Sequence, residues 1–228
     1  MKILAIAGSL RRDSYNRRLL LAAAELFPPD VDFELFDGLK AVPPYDEDDD
    51  FEPAPPAIAR LRAAISDADV LLIATPEYNS SIPGQLKNAL DWASRPIASS
   101  VLRNKPVAVI GASTGAFGAI WSQAELRKIL AATGARVLDV ELAVGHAAER
   151  FDEQGRLADE GVREQLEETL DALVGATHPR VTVAATGSPL RLASTPADRC
   201  GRAGVAMALA PTSSSRPSAP SARARAAL

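Results

Sequence analysis

Three times along this chain a short, continuous apolar run breaks into small, polar, glycine-bearing or proline-bearing residues. Ile3-Leu4-Ala5-Ile6-Ala7 runs into Gly8-Ser9-Leu10-Arg11-Arg12-Asp13-Ser14-Tyr15-Asn16. Val70-Leu71-Leu72-Ile73-Ala74 runs into Thr75-Pro76-Glu77-Tyr78-Asn79-Ser80, and Val107-Ala108-Val109-Ile110 runs into Gly111-Ala112-Ser113-Thr114-Gly115-Ala116-Phe117-Gly118. Unbroken apolar runs of this length, separated by stretches with helical periodicity, read as parallel strands buried on both faces. In such sheets ligands bind outside the carboxyl ends of the strands, where the winding direction reverses. The three polar loops are therefore expected to gather at one edge and form one site.

The rest of the pattern fits five strand–helix units. Strands are expected at Lys2–Ala7, Val31–Phe36, Asp69–Ala74, Lys105–Ile110 and Arg136–Leu142. Helices are expected near Ser14–Phe27, Ile58–Ser66, after Pro83 as a first-turn proline, and near Phe117–Ala132. A last helix carries Val162, Leu166, Leu170 and Val174 at four-residue spacing. This alternation implies an α/β, doubly wound, five-stranded parallel sheet of flavodoxin-like order 2-1-3-4-5.

Composition narrows the class. With 228 residues, 47% of them hydrophobic, the chain can bury a full core in one domain. No apolar stretch approaches the roughly 20 residues that span a membrane. The run after Lys2 is only five residues, shorter than the ~7–15 of a signal-peptide core, so a cytoplasmic protein is expected. The single cysteine, Cys200, excludes an internal disulfide and agrees with a reducing compartment. From Thr177 onward there are seven arginines, no lysine and one acid, a net +6, which leaves -10 of the total -4 on the preceding residues. So acidic a body argues against nucleic acid as a partner. Residues 177–228 are rich in Ala, Ser, Pro and Arg and lose periodicity, so they are read as a disordered tail on a domain at 1–176.

Each loop has a chemical reading and a plain one. The first opens a helix, whose free N–H groups and dipole favour a phosphate; Ser9, Ser14 and Asn16 add neutral donors and Arg11 a charged fork. It is neither a Walker loop nor a dinucleotide fingerprint. Ser14 as a simple cap, Glu77-Tyr78-Asn79 as a turn, and Gly111 to Gly118 as a strand-to-helix connection remain the plain alternatives. Lys87 and Asp91 read as a structural ion pair, Trp92 and Trp121 as packing or interface residues, and His146 as structural or exposed. The acidic run Asp46–Asp50 reads as solvated, and no metal site is expected.

Taken together, Gly8-Ser9-Leu10-Arg11-x-x-Ser14-x-Asn16, Pro76-Glu77-Tyr78-Asn79, Gly111-Ala112-Ser113-x-Gly115 and the run Ser81–Trp92 resemble the NADPH-dependent FMN reductase family, over residues 1 to about 176. The resemblance implies FMN as cofactor and NADPH or NADH as co-substrate. It places the FMN phosphate at Ser9, Arg11, Ser14 and Asn16, and the ribityl chain and ring along Pro76, Glu77, Tyr78 and Asn79. The pyrimidine edge falls at Ser113, Thr114 and Gly115. Glycines 111, 115 and 118 would let backbone approach the ring. Electrons would pass to a quinone, free flavin or other small acceptor, with no catalytic side chain required, and the protein would form a homodimer or homotetramer. The rivals are a non-enzymatic flavodoxin-like electron carrier, which fits Arg11 poorly, and a flavin-free scaffold.

Overall fold

The computed structural model describes residues 1–177; the expected tail beyond Thr177, with His178 and Cys200, lies outside the described residues. Strands β1 (Lys2–Ala7), β2 (Asp32–Phe36), β3 (Val70–Ala74), β4 (Pro106–Ala112), β5 (Arg136–Val137) and β6 (Leu142–Val144) alternate with helices. These are α1 (Tyr15–Leu26), α2 (Pro56–Asp67), α3 (Gly84–Ala93), α4 (Ile120–Ala132), α5 (Ala147–Arg150) and α6 (Glu160–Gly175). All ladders are parallel, in the order β2-β1-β3-β4-β5. The expected flavodoxin-like winding is present.

Strand alternation divides the core. Leu4, Ile6, Leu71, Ile73, Val107 and Val109 face α2, α3 and α4. Their neighbours Ile3, Ala5, Val70, Leu72, Ala108 and Ile110 face α1 and α6. Both faces are covered, which is why these strands carry no polar alternation. On α6 the buried stripe is Leu166, Thr169, Leu170 and Leu173, so the Val162 and Val174 ends of the expected face lie outside the fully buried core.

The fifth strand differs from expectation. It splits into β5 and β6, both paired with β4: Pro106 opposes Arg136, but Ile110 opposes Leu142, so two extra residues enter between the ladders. Arg127, on α4, holds the bulge in place. Its guanidinium donates to Val140 O at 2.6 Å, Val109 O at 3.3 Å and Gln123 Oε1 at 3.4 Å. Burial lowers its pKa, opposed by the carboxylates of Glu141 and Asp139. A periodicity argument cannot see this, because the clamp comes from another element.

The boundaries moved by small, explicable amounts. Ser14 caps α1 rather than starting it, accepting from Arg17 N at 3.4 Å. Pro83 occupies the cap position of α3, with extended backbone, and α4 opens only at Ile120 because Ala119 adopts a left-handed φ of 65°.

One face of α3 explains part of the Ser81–Trp92 run. Gln85 Nε2 donates to Leu39 O and Val42 O, both at 2.8 Å. Asn88 donates to Pro43 O and accepts from Tyr45 N, each at 2.7 Å, and Trp92 Nε1 donates to Pro43 O at 2.9 Å. Positions 85, 88 and 92 thus pin the connection that follows β2. The acidic run is not wholly solvated: Asp50 pairs with Arg62 at 2.8 Å, with side chains only 16% and 12% exposed. Arg62 is held there because it also donates to Trp92 O.

Replacing Arg127 with Met would leave the Val109 and Val140 carbonyls without their charged donor. Urea unfolding should show a loss of about 1.5–3 kcal/mol, the range for a hydrogen bond to a charged group. An unchanged midpoint would remove Arg127 from the account of the split strand.

Candidate functional site

The three polar loops leave the carboxyl ends of β1, β3 and β4, which are adjacent in the sheet. They enclose a cleft of about 330 Å³. Of the residues expected at the site, Ser9, Arg11, Ser14, Asn16, Pro76, Glu77, Tyr78, Ser113 and Thr114 line it; Asn79 and Gly115 do not, and Tyr15 and Ala112 join.

The first loop begins where Gly8 N continues the sheet by donating to Ala74 O at 2.8 Å. Arg11 N then donates to Ser9 Oγ at 3.3 Å. Because Ser14 Oγ accepts from Arg17 N, its own proton is free for a ligand in the cleft. No acidic residue occupies the first turn of α1, so the dipole's positive end is not neutralised. The Arg11 guanidinium donates to Asp13 O at 2.9 Å and stands over the Tyr15 ring, 5.8 Å from its centroid. Tyr15 is backed by Phe151 at 5.7 Å and by Arg18 at 5.3 Å. Sequence reasoning missed Tyr15, since nothing in a Ser-x-Asn spacing marks the middle residue.

The second loop is tied down from beneath. Thr75 and Ser122 are fully buried, with hydroxyl oxygens 2.9 Å apart, and each reaches the Pro76 carbonyl, at 2.9 and 2.8 Å. Glu77 accepts from Ser122 N at 3.3 Å, so its carboxylate caps the first turn of α4. Beyond it the chain doubles back: Tyr78 N and Ser81 N bond to each other's carbonyls at 3.0 and 3.2 Å. Asn79 and Ser80 form the turn with left-handed φ of 54° and 60°. Asn tolerates that conformation better than most residues, so the turn itself accounts for Asn79. Tyr78 Oη lies 3.5 Å from Ser9 Oγ, joining the first two loops.

The third loop is held by the segment after β6. Ser113 N donates to Val144 O, Ala147 N to Ser113 O and His146 N to Gly115 O, all at 3.0 Å. Two of its glycines have a packing reason of their own. A Cβ on Gly111 would stand 2.7 Å from Gln123 Nε2 and 3.0 Å from Thr75 O. Gly118 has φ +55°, and a Cβ there would meet the Ala143 carbonyl carbon at 2.3 Å. Neighbouring protein atoms are by themselves enough to require both glycines.

Asn16 bridges two of the loops. Buried to 2% exposure, it donates from Nδ2 to Ala112 O and accepts at Oδ1 from Ala112 N, both at 2.9 Å. The Lys87–Asp91 pair forms at 2.7 Å, Trp92 is buried, and His146 is exposed in a left-handed conformation. Trp121 is 48% exposed, edge-on to Phe117 at 5.0 Å.

The donor set suits a phosphate monoester carrying a flat, polar ring. A cation, two hydroxyls and a helix N-terminus stand at one end, and backbone with small side chains at the other. This fold and this cleft define a flavodoxin-like flavoprotein. The chain belongs to the NADPH-dependent FMN reductase family, whose model matches residues 1–149. It is therefore an FMN-dependent NAD(P)H oxidoreductase, and the electron-carrier alternative is not favoured. It is 45% identical to an NAD(P)H-dependent FMN reductase of Pseudomonas aeruginosa, over 76% of this chain and 93% of that one. It is 44% identical to a 2-hydroxy-1,4-benzoquinone reductase of a Burkholderia species, over 75% and 93%. Among solved structures, the flavoenzyme NAD(P)H:(acceptor) oxidoreductase FerB from Paracoccus denitrificans superposes with a TM-score of 0.71 at 35% identity, covering 77% of this chain and 96% of that one.

The Gly118→Ala variant should lose about 2–3 kcal/mol of stability, from overpacking together with a left-handed backbone. Thermal unfolding compared with Gly115→Ala, where a Cβ meets nothing nearer than Ser113 Oγ at 3.6 Å, checks it. Equal losses would refute the distinction.

Proposed function

We propose that FMN occupies this cleft with its phosphate at Ser9, Arg11, Ser14 and the N-terminus of α1. The ribityl chain then lies along Pro76, Glu77 and Tyr78, and the ring against Ser113 and Thr114. Asn79 and Gly115 flank the site, and Asn16 stands between its two ends. The observation that carries this reading is that one cleft gathers nine of the eleven residues expected to hold the cofactor. When bound, FMN supplies the hydride acceptor and the two-electron store; the chain supplies placement and electrostatics. Arg11 and the α1 dipole neutralise the phosphate, Ser14 donates its free hydroxyl proton, and the buried Thr75–Ser122 pair fixes the Pro76 carbonyl. No side chain is assigned as a catalytic acid or base.

The acceptor is a small molecule of quinone type, a reading supported by the Burkholderia relative's name. The protein works in the cytoplasm, where NAD(P)H is available, and residues 1–176 form the reductase domain with 177–228 appended to it. Self-association as a homodimer or homotetramer is supported by Phe117 and Trp121, a paired aromatic surface left 61% and 48% exposed. Light scattering at working concentration should give a multiple of the chain mass; a monomer would contradict this.

The full chain loaded with FMN should lose its oxidised flavin absorbance rapidly on anaerobic addition of NADPH. Bound flavin that yields only to dithionite would instead indicate a carrier. Arg11→Ala should weaken FMN binding by about 1.5–3 kcal/mol, the range for a hydrogen bond to a charged group. Unchanged affinity in a fluorescence titration would remove Arg11 from the phosphate site.

A further inference from the structure

We infer that Asn16 is a positioning residue rather than a phosphate ligand: it substitutes for a missing strand and sets the spacing between the phosphate end and the ring end of the cleft. This rests on the site proposed above and assigns a different role to one of its members.

β3 and β4 separate within this site. Thr75 N still donates to Ile110 O at 2.9 Å, but beyond Thr75 the chain turns into the second loop. β4 continues to Ala112, and on its other edge it stays paired, with Ala112 opposite Val144 and Ser113 N donating to Val144 O. Alternate residues of a strand direct their N–H and C=O to the same edge. Ala112 therefore presents both groups towards the edge that β3 has left. At 3% exposure it has little access to water, and an unpaired buried amide or carbonyl is costly.

The Asn16 carboxamide fills that position. Its Oδ1 and Nδ2 pair with Ala112 N and O at 2.9 Å each, as a neighbouring strand would, across 96 residues of sequence. A carboxamide offers an acceptor and a donor side by side at this reach, which an ionised carboxylate does not. Its acceptor and one of its two N–H groups are thereby committed to protein. Asn16 also follows Ser14 by two residues in the opening turn of α1, and Ser113 follows Ala112. The bridge thus links the anion end of the cleft to the loop that faces the ring. A ligand touching both ends depends on it whether or not that ligand bears a phosphate.

The test is a pair of affinities. FMN and riboflavin are titrated against the full chain, Arg11→Ala, Asn16→Ala and Asn16→Asp. Arg11→Ala should lower FMN affinity roughly tenfold to a hundredfold and leave riboflavin nearly unchanged. Asn16→Ala should lower both affinities by a similar factor, about tenfold or more. Asn16→Asp should do the same, because a carboxylate has no N–H for the Ala112 carbonyl. A loss confined to FMN in the Asn16 variants would make Asn16 a phosphate ligand and overturn the inference. Folded Asn16 variants with both affinities intact would overturn it as well, leaving the bridge a matter of stability alone. If Arg11→Ala leaves FMN affinity unchanged, the phosphate site itself fails, whatever Asn16 does. Should the Asn16 variants not fold, amide exchange on the unmodified, flavin-free chain decides. Strong protection at Ala112 N–H supports the bridge, and exchange at the unprotected rate overturns it.

Discussion

Where neighbouring strands diverge at the ligand-binding edge of a parallel sheet, backbone groups lose partners that a buried sheet cannot leave unpaired. Much of the architecture around the cleft answers that constraint. Asn16 supplies the partner that Ala112 loses when β3 turns away. Ser122 and Thr75 supply hydroxyls to the Pro76 carbonyl at the first residues beyond β3. Among the described residues, no buried side-chain polar atom is left without a partner. The polar residues under these loops thus hold the cleft open and rigid before any ligand arrives, which reduces the ordering cost of binding.

The same logic links the helices to the chemistry. Glu77 lines the cleft yet also accepts from the first turn of α4, which ties the second loop to that helix. Further along α4, Arg127 holds the two-residue bulge between β5 and β6, and β6 in turn carries Val144, which receives Ser113 N. A chain of hydrogen bonds therefore runs from the outer edge of the sheet to the third loop. Placement of small groups near the ring is a property of the sheet's edge as much as of the loop.

Legibility in the sequence follows from the range of the interaction concerned. The strand order is readable because each buried strand is a local run, and the first loop stands out as a candidate because a cap, a glycine and an arginine cluster within nine residues. The split of the fifth strand is not readable, since the clamp on it comes from Arg127 on a different element. Nor is the function of Gln85, Asn88 and Trp92, whose partners Leu39, Val42, Pro43 and Tyr45 lie 43 to 49 residues away. The solvated reading of the acidic run failed at Asp50 for the same reason: its partner Arg62 is positioned by Trp92.

Some motif residues have a sufficient explanation in the protein's own packing. Gly111 and Gly118 are glycine because Thr75, Gln123 and Ala143 leave no room for a side chain. Asn79 belongs to a turn whose left-handed backbone favours its residue type, and it does not line the cleft. Each lies within a recognisable loop, so each looks like chemistry when read as a string. A loop must first be buildable at a diverging sheet edge, and that condition restricts residue types as tightly as a ligand does. The residues whose identity the protein's own packing does not explain are the better guides to the ligand. Here that residue is Arg11, exposed and aimed across Tyr15; Ser14 caps α1 and so is explained by the helix as well as by a ligand.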